Sequence, residues 1–241
     1  MSLLGDFEIF EDIMDYSINF KSSNFINLRP TSLLPLLSYQ KNNLFSDLSP
    51  NKIYFTINNL KNIRNKIPKD FISSLQSHAK NCNINTFHFI MGEIMGNMED
   101  HSNGSKCCVM AEYYDKYNEL DLCFIDNGIS IPNNFNKYNI SFKDDFDAVY
   151  NAINGKSTKN INSNYYERGS GLNNCINIVT NGYKGSVLIA SKNALVSVNN
   201  KKTVNKLILD NPINGTLISF RMKNIEIDNS DFYKCLEFIK F

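Results

Sequence analysis

The stretch that most constrains this chain runs from Thr86 to Ile125. Between Thr86 and His101 the apolar residues Phe87, Ile90, Met91, Ile94, Met95 and Met98 recur at the spacing of one helical face. Two runs with strand character follow, Cys107 to Tyr113 and Leu120 to Ile125, joined by the polar turn Asp115 to Glu119. Glu93, Asn97 and His101 are four apart, so they form one polar stripe at the edge of the apolar face. Taken alone, that stripe describes an ordinary amphipathic helix.

The remaining residues bound the answer. A chain of 241 residues makes one large domain or two small ones and can bury a sizeable core. Hydrophobic residues at 42% and aromatics at 12% exclude wholesale disorder. With 25 Lys+Arg against 24 Asp+Glu, the net charge of +1 gives no field that would steer the molecule to nucleic acid or an anionic membrane. The apolar runs fall far below the roughly 18 residues of a membrane helix. Met1 to Met14 is acidic and lacks the basic-then-apolar order of a secretory signal. A soluble, cytoplasmic protein is expected, with no membrane or nucleic-acid partner. The six cysteines form no C-x-x-C pair and several lie in apolar runs, which reads as buried free thiols, not a zinc site. Roughly one residue in six is Asn, which weakens any inference from a single Asn.

Before residue 84 the chain reads as a small α/β region. Phe25 to Leu28 is a strand candidate. Thr31 caps a helix through Leu33, Leu34, Leu36 and Leu37, Lys52 to Ile57 alternates like a strand, and Phe71 to Ala79 reads as a helix. The boundary falls in residues 81–85, giving an N-terminal region 1–83 and a second domain 84–241. In the second domain the strand Leu120 to Ile125 ends in Asp126-Asn127-Gly128-Ile129-Ser130, where a carboxylate followed by Gly can present its oxygens to a ligand. Asp144 to Ile153 reads as a helix. Gly155-Lys156-Ser157-Thr158 opens a polar, Asn-rich stretch to Tyr166 whose composition suits a mobile lid. It is not a P-loop, because Tyr150 stands where that motif needs Gly. Arg168-Gly169-Ser170-Gly171-Leu172 then starts a helix, a place where backbone N–H groups can face an anion. Ser186 to Ser191, Leu195 to Val198, Val204 to Leu209 and, after Asn214-Gly215-Thr216, Leu217 to Met222 read as four strands, and Asp231 to Lys240 as a closing helix.

In order, Glu93-x-x-x-Asn97-x-x-x-His101-Ser102, Asp126-x-Gly128, Gly169-x-Gly171-Leu172 and Gly215-Thr216 resemble the N box, the two glycine boxes and the last turn of the GHKL superfamily. That superfamily contains gyrase, ninety-kilodalton heat-shock chaperones, histidine kinases and mismatch-repair ATPases. The resemblance covers about residues 84–222 and is closest in wording to anti-sigma serine kinases and nitrate-type sensor kinases. It implies an α+β Bergerat fold: a two-layer α/β sandwich with a mixed sheet and helices on one face, preceded here by the small N-terminal α/β region. It implies ATP and Mg²⁺ as cofactors, with a lid at about 129–168. Asp126 would accept from the adenine amino group and Thr216 would help hold that edge. Asn97 would ligate Mg²⁺. Gly128 would let the backbone pass close to the nucleotide, and Gly169, Gly171 and Leu172 would cradle phosphates. Glu93 would be the catalytic base or orienter. Lys156, Ser157, Thr158 and Arg168 are placed to touch phosphates. The first glycine box has Ser130 where a second Gly is usual, so a strained hinge is expected there.

No phosphoacceptor His on a helical hairpin precedes the N box, and only about 20 residues follow Met222. The expected function is a Mg-dependent, ATP-binding signalling protein that hydrolyses ATP or transfers its γ-phosphate to a regulatory protein, in the manner of a serine/threonine kinase. The alternative is a non-catalytic, ATP-gated binding module. A histidine kinase catalytic domain ranks below both, and a homodimer is compatible with either.

Overall fold

β3 (Glu119–Asp126) is buried on both faces along nearly its whole length. Leu120, Leu122 and Phe124 enter one core, while the alternate residues Cys123 and Ile125 enter another. A strand with two dry faces needs a helical layer on each, and that requirement organises the molecule. The structure, a computed structural model, describes residues 2–15, 27–39, 51–156, 170–200 and 203–236.

The sheet has five strands in the order β1-β2-β3-β5-β4, with β1 (Lys52–Asn58), β2 (Lys106–Tyr114), β4 (Ser186–Asn199) and β5 (Val204–Lys223). Every pairing is antiparallel, so the mixed sheet expected from sequence is corrected to a purely antiparallel one. The two long strands also replace the four short ones read from the sequence. β4 continues through an irregularity at Ser191, Lys192 and Ala194 that lets it bend without ending.

On the first face lie α3 (Lys69–His78), α4 (Ile84–Asn97), α6 (Asp145–Ile153), α7 (Gly171–Asn177) and α8 (Asn229–Lys234). All six apolar residues of the sequence stripe in α4 and its terminal turn are buried in that core. This sheet and helical layer form the expected two-layer α+β body. The second face is covered as well. α1 (Leu3–Asp15) brings down Leu3, Phe7, Phe10 and Ile13, and α2 (Pro30–Tyr39) brings Leu33, Leu34, Leu36 and Leu37, onto Cys108, Met110, Cys123, Leu188 and Leu217. α2 starts with Pro30, whose missing N–H costs nothing in a first turn. Thr31, expected as its cap, lies inside the helix, and its hydroxyl pairs with Ser219 Oγ at 2.7 Å.

A buried ion cluster joins this second layer to the sheet. Arg221 on β5 donates to both carboxylate oxygens of Asp121 at 2.7 Å and to Asp6 of α1 at 2.6 Å. Arg29, just before α2, reaches the same Asp121 at 3.2 Å and stacks over the Tyr114 ring at 3.9 Å. With β1 hydrogen-bonded to β2 and α1–α2 on the second face, residues before 84 share one sheet with those after it. Within residues 81–85, Asn83 caps α4 by accepting from Asn85 N–H at 2.9 Å. Of the strand candidate Phe25 to Leu28, only residues 27 and 28 are described, and they are not in a strand. All six cysteines are buried and unpaired, and burial pushes the Cys82 and Cys107 thiols up to about 12.

Candidate functional site

α4 is fixed at its start. The buried Tyr183 hydroxyl accepts from Asn83 N–H at 3.0 Å and sits 2.9 Å from Thr86 Oγ1. At its other end the helix widens into a π turn, Met98–Ser102, of the kind that gathers at functional sites. Asn103 leaves it in the left-handed region at φ 51°. Through this helix and turn, Glu93, Asn97 and His101 all face a cleft of about 750 Å³ between α4, α7, the end of β3 and the middle of β5.

Asp126 forms the floor at the end of β3 and is 4% exposed. Its Oδ1 accepts from Gly128 N–H at 2.8 Å, and Thr216 N–H donates to the same carboxylate. Burial pushes its carboxyl up to about 7, against the pull of those two N–H groups, and no cation among the described residues offsets it. Gly215 sits at φ +87°, and a Cβ there would stand 2.1 Å from the Asp126 carbonyl oxygen, so β5 approaches Asp126 only with Gly at this position. Ser191 Oγ, fully buried, donates to Gly215 O at 2.9 Å, lies 3.1 Å from Thr216 Oγ1 and accepts from Ile131 N–H at 2.9 Å. One serine on β4 thus locks the turn of β5 and the start of α5 (Ile131–Lys137) around the carboxylate.

Two expectations at this corner change. Ser130 is extended, at φ −63° and ψ 164°, and caps α5 by accepting from Asn133 N–H. The strained hinge is therefore absent, because the position is a helix cap that suits Ser. Gly128 does need to be Gly, but for a neighbour within the chain: a Cβ would meet the Ser102 carbonyl oxygen at 2.1 Å, and the adjacent Ile129 N–H bonds that oxygen at 2.6 Å. This contact ties the Asp126 corner to the end of the α4 turn.

The opposite wall is the start of α7. Glu93 reaches across from α4, and its Oε2 would be 1.9 Å from a Cβ on Gly171, so the carboxylate occupies the space that Gly171 leaves open. Leu172 and Ser170 also line the cleft. The neighbouring Asn173 and Asn177 instead brace α7, with Asn173 Nδ2 donating to Ile153 O of α6 at 3.1 Å. Within the span expected as a lid, residues 131–137 and 145–153 are helices, the second as read from the sequence, and its Ala148, Val149 and Ile153 are fully buried. Ser157, Thr158, Arg168 and Gly169 lie outside the described residues. Lys156 reaches the cleft while its Nζ donates to Ser141 O at 2.8 Å.

Of the residues singled out in the sequence, Glu93, Asn97, Asp126, Gly171, Leu172 and Thr216 therefore line one cleft, and Gly128 shapes its corner. No family model matches this chain. No curated protein matches its sequence. The case for a ligand therefore rests on the cleft itself.

Two lining residues carried no readable signal in the sequence. Asn174 presents a buried Oδ1 with no hydrogen-bond partner, one Asn among many. Arg64 comes from the 3₁₀ turn Ile63–Lys66, a region without motifs. The donor set suits Mg²⁺ held mostly by a ligand's own oxygens. Asn97 and Glu93 offer oxygen atoms, and among the described residues no three His, Cys, Asp or Glu side chains converge into a protein-built cage.

Proposed function

We propose that the cleft binds ATP with Mg²⁺ and that the protein hydrolyses it or passes its γ-phosphate to a partner protein. The observation that carries this reading is the convergence, in one cleft, of residues from four distant segments that resemble GHKL motifs: Glu93 and Asn97, Asp126, Gly171 and Leu172, and Thr216. A buried carboxyl beside a cleft, with no cation against it among the described residues, suits recognition of a hydrogen-bond donor such as the adenine amino group. On this reading the base lies at Asp126 and Thr216. The phosphate chain runs along α4 toward Asn97 and the start of α7. Asn97 would hold Mg²⁺ through its side-chain oxygen, and the metal would supply charge neutralisation at the phosphates. Glu93, seated between α4 and α7, orients or deprotonates the attacking water or hydroxyl.

The test follows the γ-phosphate of labelled ATP with Mg²⁺, in wild type and Glu93→Ala, with and without cell extract. Release of label or its transfer to protein is expected from wild type, with a fall of about 10²–10⁴ in Glu93→Ala while ATP binding persists. ATP that binds without ever losing its γ-phosphate would make the protein an ATP-gated binding module. Equal turnover in the variant would remove Glu93 from its role.

A further inference from the structure

Arg64 stands out among the cationic groups near the cleft. Lys192 is paired with Asp145 and Lys156 with a backbone carbonyl, but Arg64 has no ion pair or hydrogen bond among the described residues. The residue is exposed, yet its guanidinium touches α4. Its guanidinium meets α4 edge-on at Gly96: a Cβ at that position would be 1.9 Å from Nη2 and 2.6 Å from both Cζ and Nε. Gly96 is buried and lies in a helix, where Gly is otherwise costly. The guanidinium is thereby held one residue from Asn97 and within one turn of Glu93, on the wall of the cleft. Gly96 and Gly171 thus perform the same service, each leaving room for the charged end of a side chain from another element, one cationic and one anionic.

The cleft follows α4, and Glu93 lies roughly 13 Å along that axis from Ser102, the residue that touches the Asp126 corner. A nucleotide anchored by its base at Asp126 therefore brings the far end of its phosphate chain, not its ribose, to the Gly96 level. A planar guanidinium with free N–H groups binds a phosphate in two-pronged fashion and is strongest toward the most highly charged terminal group.

On the reading that the cleft takes adenine nucleotides, we propose that Arg64 is the residue that senses the terminal phosphate and sets the preference for the triphosphate over the diphosphate. This gives the segment before α3 a place in the site: it delivers the cation. The motif-bearing half of the chain supplies the base and metal positions.

The test is calorimetric titration of ATP and of ADP, each with Mg²⁺, into wild type, Arg64→Ala, Gly96→Ala and the double variant, with thermal melts alongside. Wild type is expected to favour ATP by about 10-fold or more. Arg64→Ala should remove most of that preference by weakening ATP, leaving ADP within about 2-fold. Gly96→Ala, whose methyl takes the seat of the guanidinium, should do the same without lowering the melting temperature. The double variant should lose no more than either single one, because the methyl then has nothing to displace. An unchanged ATP-to-ADP ratio in Arg64→Ala, or an equal loss for both nucleotides, would overturn the assignment while leaving nucleotide binding intact. Failure of wild type to bind either nucleotide would overturn it together with the function it rests on.

Discussion

Asp126 carries two demands that pull apart. As a buried carboxyl it weakens the empty fold once ionised, and as a hydrogen-bond acceptor it is what a donor in the cleft would need. Its raised value, about 7 against an ordinary 3.8, means that between those values the folded chain binds more protons than the unfolded one. Stability therefore falls as pH rises through that window, and the whole cost is present above 7. Asp126→Asn keeps an acceptor for the Gly128 and Thr216 N–H groups and removes the charge. It should melt higher than wild type at pH 8, by up to about 4 kcal/mol at about 1.4 kcal/mol per pH unit, with the gap closing toward pH 4. A melting temperature below that of wild type at pH 8 would make the residue a structural anchor instead. A substitution that strengthens the fold and weakens ligand binding marks a residue kept for function.

At the scale of elements, α4 and α7 meet through one small space. Gly171→Ala puts a methyl where the Glu93 carboxylate sits, but the obstacle is the end of a flexible side chain. Stability should change by less than about 1 kcal/mol, since Ala favours the helix, while Glu93 is driven from its seat and turnover falls nearly as far as in Glu93→Ala. Unchanged turnover in a folded Gly171→Ala protein would show that the seat is not needed. The stripe Phe87 to Met98 was readable because helical periodicity reports burial on one face, and β2 and β3 because apolar runs report strands buried on both. Periodicity failed where a device breaks it. Ser191 to Ala194 interrupts the pattern of β4 as a bulge and reads as a strand end. The polar composition around α5 resembles a loop because caps and turns use the same Asn and Ser residues. The widening at Met98–Ser102 leaves no mark on side-chain spacing over five residues.

For the whole molecule, the second face of the sheet decides the architecture, and it was the least legible part. α1 has a regular apolar stripe, but Asp6, Glu8, Glu11 and Asp12 between its members make the segment look like an acidic tail. One of those acids, Asp6, is itself buried against Arg221. Asp121 gives no sign in sequence that it is fully buried, since its partner lies 100 residues away. The site motifs escaped this difficulty because each is local, with a carboxylate or a glycine at a fixed step from its neighbours. Arg64 and Asn174 reach the cleft only through tertiary folding. Arg221→Met should cost about 3–5 kcal/mol, read as a shift in denaturant midpoint, because it strands the buried Asp6 carboxylate and leaves Asp121 with Arg29 alone. A cost below about 1 kcal/mol would mean that α1 and α2 are held by their apolar contacts alone.

The central claim is that an adenine nucleotide sits with its base on Asp126. It is tested most directly by titrating ATP with Mg²⁺ into wild type and Asp126→Asn at pH 8, where the wild-type carboxylate is ionised. The account predicts saturable binding to wild type and a loss of at least about 10-fold in the variant, as a charge-assisted bond is replaced by an amide that can face the amino group with its own donor. Equal affinity in the two proteins, or no binding to wild type, would contradict it.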